Sequence, residues 1–302
     1  MAISIGVIGN CHIGTIAKAL KFFLNNPSIS LYRSAGLSTQ FSNLKGLVDA
    51  VRRHDAVICQ FENNALMGSG PIALKKRLPN LMPFPSIVFP AFHPDMMYLR
   101  IKDVAGEAKI IRSPVGENHS KLTVFGYMIG LTARQTLKLF NDRVFRALGY
   151  HDIWEPSRLE LFAEAQRMSL SLESEFLSWT RRGCFMYTVN HPKMFVLCDI
   201  TRVLLENTGI ECRAGDPSMF VPDSLMQSTI WPVYPPIGGL YGIRGSYLFK
   251  SDDERIYDLS EFVEASFDIY KHYDKEKFQH WPVNVWLADN KRIAFLRDQA
   301  GA

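Results

Sequence analysis

The chain has 302 residues, enough for one large domain or two modest ones with a substantial buried core. Its 34 basic and 30 acidic side chains leave a net charge of only +4, too small an excess to argue for nucleic acid or an anionic membrane, so neither is expected as a partner, and it leaves room for a local patch that grips a small anion. Five cysteines, with no CxxC pair, form neither a disulfide framework nor a zinc-ribbon pattern, so a reduced, cytoplasmic protein without a bound metal is expected.

The opening "MAISIGVIGN" has no basic segment and only a short apolar run, so it does not read as a signal peptide. No stretch approaches the roughly 20 apolar residues that a membrane span requires. "ISIGVI" at 3–8 predicts a strand buried on both faces. Residues 13–24 repeat apolar side chains at helical spacing, and "NNPS" stops that helix. "ISLYRS" predicts a second strand, "LKGLVDAVRRH" a short helix and "DAVICQF" a third strand. "IALKKRL" and "SIVFP" continue the alternation with a helix and a strand. Repeated βαβ units predict an α/β fold with a doubly wound, mainly parallel sheet.

Beyond about residue 118 the pattern becomes mainly helical. Helices are expected within 119–148, along 155–182 with Pro156 at a start, and from 191 to a stop at Gly209. A short strand is expected at "CFMYTVN", and Pro/Gly-rich loop over 214–246. The expected division is therefore 1–118, an α/β core, and 119–302, a large helical part packed on that core.

Ligands of open parallel sheets bind beyond the carboxyl ends of the strands, where the strand order switches. "IGNCH" places Asn10, Cys11 and His12 there, at the mouth of the first helix. Backbone N–H groups and the positive end of a helix dipole stabilise a thiolate, and those amides, with the Asn10 side chain, could hold an oxyanion. Cys11 is either such a nucleophile or a small packed residue. The glycines at 6, 9 and 14 fit neither G-x-G-x-x-G nor a P-loop. Adjacent helical side chains diverge by about 100°, so His12 reaches Cys11 only if the helix entrance is irregular. Other candidate bases or braces are His93 and Asp95 in "FHPD" and His191 in "NHP"; each His-Pro could equally be a capped turn. Lys75, Lys76 and Arg77 form either a solvated helix face or a phosphate grip.

Taken together, "IGNCH", "FPAFHPDMMYL" and "NHP", in this order, resemble the WcbI-type capsular polysaccharide biosynthesis enzymes, a family of coenzyme A-binding acetyltransferases. The resemblance runs from the N-terminus to about residue 210. It implies a fold related to SGNH hydrolases, with cysteine in place of their serine, and a catalytic pair formed by Cys11 and His12. It also implies acetyl transfer from acetyl-CoA to a sugar hydroxyl of a polysaccharide or its precursor. The SGNH pattern carries a C-terminal Asp-x-x-His; here Asp268 and His272, and Glu276 and His280, are each four apart, so that base is missing from its usual place. Two other functions share the same residues: a thiol-dependent esterase with water as acceptor, and a non-catalytic module that binds coenzyme A or a nucleotide-sugar.

Overall fold

The computed structural model describes residues 2–60, 74–102 and 108–302. Four parallel strands, β1 (Ser4–Gly9), β2 (Ser28–Arg33), β3 (Ala56–Gln60) and β4 (Leu81–Phe84), form a sheet in the order β2-β1-β3-β4. β1 and β3 lie inside, and Ile5, Val7, Ile8, Val57 and Ile58 are fully buried, as continuous apolar runs in a parallel sheet must be. The first crossover carries α1 (Ile13–Phe23) from β1 to β2; the next carries the helix Leu44–Val51 back past β1 to β3. Right-handed crossovers in opposite directions place these helices on opposite faces of the sheet. Ile8, Val57 and Cys59 accordingly pack with Leu47, Val48 and Val51. The chain is thus α/β, and its strand order reverses between β1 and β3.

The fourth strand is "LMPF", not the expected "SIVFP". Pro83 obscures it: proline has no N–H for a ladder and argues against a strand, but β4 ends the described strand order, where proline is tolerated. Of the expected helix "IALKKRL", residues 72 and 73 lie outside the described residues, and Leu74 opens one short turn closed by Arg77 N–H and Leu78 N–H on its carbonyl.

The chain forms two compact units, and the division is not the expected cut at 118. The first comprises Met1–Phe89, Ser157–Met186 and Asn190–Leu225; the second comprises Pro90–Pro156, Tyr187–Val189 and Met226–Ala302. Specific contacts return the later helices to the sheet unit. The helix Met194–Asn207 packs on α1, Arg213 N–H donates to the Phe23 carbonyl at 2.8 Å, and Lys18 Nζ donates to Ser224 Oγ at 2.6 Å. Residues 90–118 join the second unit because Met96–Tyr98 pairs antiparallel with Asn118–Ser120.

The second unit is built on an aromatic core that includes Phe125, Phe145, Trp231, Phe249 and Tyr270. Its helices Lys121–Met128, Ala133–Leu137 and Asp142–Ala147 fall within the predicted stretch. Asp95, expected beside Cys11 and His12, belongs to this unit and is fully buried. It accepts hydrogen bonds from Leu122 N–H (3.0 Å), Tyr150 Oη (2.8 Å) and Tyr234 Oη (3.0 Å). Burial still raises its pKa above the ordinary aspartate value. His93 lies in the same unit, buried beside the Phe92 ring. Replacing Asp95 by Ala removes the partner of Leu122 N–H, Tyr150 Oη, Tyr234 Oη and the buried Ser120 hydroxyl, so a loss of about 3 kcal/mol or more is expected in urea unfolding. A loss below about 1 kcal/mol would show that the carboxylate does not organise this unit.

Candidate active site at the switch in strand order

Gly9 ends β1 and Gln60 ends β3, the two neighbouring strands between which the order reverses. Gly9 has φ +151°, a conformation L side chains rarely adopt, and a Cβ there would lie 2.6 Å from Gln60 Cβ. The bare glycine lets the Gln60 side chain cross the end of β1. Gln60 Oε1 accepts from Asn10 N–H at 3.1 Å, which fixes the amide so that Nε2 faces the other way. Nε2 then donates to His12 Nδ1 at 3.0 Å and to Ser86 Oγ at 3.1 Å.

The partners of His12 settle its tautomer. A carbonyl only accepts, so the 2.9 Å contact with the Asn190 carbonyl places the ring proton on Nε2. Nδ1 is then the acceptor that the Gln60 amide requires. The ring is 1% exposed, and burial pushes its pKa down to about 4, with the Asn190 carbonyl opposing and His191 adding to the depression. His12 is therefore neutral near pH 7, with both nitrogens engaged inside the protein. His119, in the second unit, is held similarly between Tyr270 Oη and the Ile111 carbonyl, and burial lowers it to about 4.

Cys11 precedes His12 and is half-buried. His12 has helical φ and ψ (−74°, −28°), so the two side chains diverge, as helical neighbours do. The first turn of α1 has no side-chain cap and no acidic residue, which leaves the positive end of the dipole uncompensated by side chains. A Cβ at Gly14, also in that turn, would meet no atom of the described residues within 4 Å, while Ile13 N–H and Thr15 N–H already donate to the Asn10 and His12 carbonyls. His191 follows Asn190, is half-buried, and is lowered in pKa by burial. Asn10 contributes its backbone N–H to the Gln60 clamp.

The remaining thiols contrast with Cys11. Burial raises Cys184 to about 11 and Cys198 to about 12, burial aided by Glu206 raises Cys212, and Cys59 is fully buried. Lys75 and Lys76 are exposed and, with Arg167, line a cavity of about 350 Å³ in the sheet unit. Arg77 is exposed and does not line that cavity. Gln60, Ser86 and the Asn190 carbonyl went unpredicted. Gln60 did leave a signal: it is a polar residue closing the apolar run "AVIC", and such a residue at a strand's carboxyl end in a parallel sheet is placed for a site. No group of three or more metal-ligating side chains gathers among the described residues, and no helix there is long and apolar enough to cross a membrane.

The family model for the polysaccharide biosynthesis enzyme WcbI matches residues 4–213. The fold is similar to a solved structure of WcbI, described as a novel polysaccharide biosynthesis enzyme, in its native form without a disulfide bond between coenzyme A and one of its cysteines. Identity is 13%, 99% of each chain is covered, and the TM-score is 0.68. Among curated proteins, none matches the sequence.

The His12 assignment makes two measurable demands. Nitrogen NMR should show an Nε2–H ring that stays neutral from pH 8 down to about pH 5. His12 is held below its unfolded value of about 6.5, so its contribution to stability is complete above that pH and is lost as pH falls toward 4. The loss should reach about 3 kcal/mol. A ring that titrates near 6.5 in the folded protein would contradict the assignment.

Proposed function

Because the chain belongs to the family of the polysaccharide biosynthesis enzyme WcbI, we propose that it moves an acetyl group from acetyl-CoA to a sugar hydroxyl during the synthesis of a polysaccharide such as a capsule. The observation that carries this reading is a half-buried thiol at the switch in strand order, followed by an open helix N-terminus and backed by a neutral, fully engaged histidine. The related WcbI structure adds support, since it is described with reference to coenzyme A and one of its cysteines, as a form without a disulfide bond between the two.

In this mechanism acetyl-CoA is a substrate. Cys11 Sγ, as the thiolate, attacks the thioester carbonyl while the amides that open α1 hold the oxygen as it becomes negative. A carbon–sulfur bond forms to Cys11, the bond to the coenzyme's sulfur breaks, and the coenzyme leaves as its thiol, taking the proton that Cys11 lost. A sugar hydroxyl then attacks the acetyl-cysteine. Its proton passes to His191, the acetyl ester leaves with the sugar, and Cys11 returns as a thiolate. His12, expected as the catalytic partner of Cys11, is assigned a positioning role, because neither of its nitrogens is available to a substrate. Gly14 leaves space for the thioester, and Lys75, Lys76 and Arg167 offer cations for the coenzyme's phosphates.

Coenzyme release from acetyl-CoA should depend on an added sugar acceptor. Cys11→Ala should lower it by about a thousandfold or more with the fold intact. Iodoacetamide near pH 7 should label Cys11 before the four other cysteines, whose burial suppresses the thiolate. Release that is equally fast without a sugar would make the protein a thiol hydrolase. Undiminished transfer by Cys11→Ala would remove the nucleophile.

A further inference from the structure

The second unit carries a cavity of about 620 Å³ that plays no part in the chemistry above. It lies where the strand Arg100–Lys102 pairs antiparallel with Phe278–Gln279, register Arg100↔Gln279, and where the helix Trp281–Leu287 begins. Its lining includes Arg100, Lys121, Gln279, His280, Trp281 and Asn284, with no carboxylate among the described lining residues. Two features set it apart from ordinary surface. Trp281 leaves 78% of its surface exposed, an unusual position for the largest apolar side chain. His280 is only 3% exposed, and among the described residues its ring has close to it only the Asn284 side chain and its own backbone as polar partners. So sparsely partnered a buried imidazole gains from a ligand that adds a hydrogen bond.

We propose that this cavity binds a saccharide bearing an anionic group, with a sugar ring against Trp281 and the anion between Arg100 and Lys121. The C–H faces of a sugar are apolar and flat enough to cover an exposed indole, while its hydroxyls need donors and acceptors at the edge. Gln279, Asn284 and His280 supply both kinds. An amide donates and accepts, and a neutral imidazole does the same. The two cations without a lining carboxylate select for negative charge. Lys121 is fixed for this role, since its Nζ donates to the Pro94 carbonyl at 2.5 Å. Lys121 also faces the buried Asp95, so a purely apolar ligand would leave Arg100 above all unmatched, and a bare anion would leave Trp281 uncovered. The site rests on the second unit alone and does not depend on acyl transfer, so each can fail without the other.

Calorimetric titration of the whole chain with trigalacturonate, glucose 1-phosphate, maltotriose and inorganic phosphate tests the proposal, the first two separating a carboxylate from a phosphate as the source of charge. At least one of the two charged sugars should bind about tenfold or more tightly than both maltotriose and inorganic phosphate. Trp281→Ala and Arg100→Ala, both exposed positions that the fold tolerates, should each weaken that binding by about fivefold or more. Cys11→Ser should bind the sugar as the unaltered chain does. The proposal is overturned if maltotriose binds equally well, if inorganic phosphate matches the charged sugars, if nothing binds, or if Trp281→Ala and Arg100→Ala leave affinity unchanged.

Discussion

One side-chain amide holds the candidate site together. Gln60 reaches from the end of β3 across the end of β1, accepts from Asn10 N–H and donates to His12 Nδ1. This crossing is possible only because Gly9 has no side chain at the point where the two meet. The amide's orientation then dictates the rest. With Oε1 occupied by a backbone donor, Nε2 must donate, His12 must accept at Nδ1, and its proton must sit on Nε2 facing the Asn190 carbonyl. Strand end, helix entrance and the segment leading to His191 are thereby joined through polar contacts, most of them out of water. In a buried setting each contact is worth more, and each missing partner costs more, than in solvent.

That arrangement turns apart two adjacent residues that the family resemblance would pair. His12 is drawn inward and kept neutral; Cys11, about a third of a turn around the helix start, keeps part of its surface in reach of solvent. The thiol stands at the entrance of a helix whose first turn carries no side-chain cap and no acidic residue. His191, half-buried beside Asn190, is lowered in pKa by burial.

The sheet was legible in the sequence because β1 and β3 are mainly apolar runs and β2 alternates Ser28, Ile29, Ser30 and Leu31, with helix-period segments between them. β4 was not, because Pro83 hides an edge strand. The site was half legible. Cys11 could be placed by the rule that binding sites collect at a switch in strand order, and that rule needs only β1 to be found. Gln60 needed the register of β1 against β3, which no local pattern carries. The partners of Asp95 were not legible, because Tyr150 and Tyr234, which donate to its carboxyl, are distant in sequence. The division into units was equally non-local: contacts such as Lys18 with Ser224 return the later helices to the sheet.

The claim that Cys11 carries the acyl group is open to direct observation. The protein would be mixed with acetyl-CoA without acceptor, quenched in acid, digested, and the peptides weighed. An acetyl thioester on the peptide containing Cys11, discharged when a sugar acceptor is added before the quench, is the predicted result. Transfer to the sugar with no acetyl ever found on Cys11, or with the acetyl found on another residue, would contradict it.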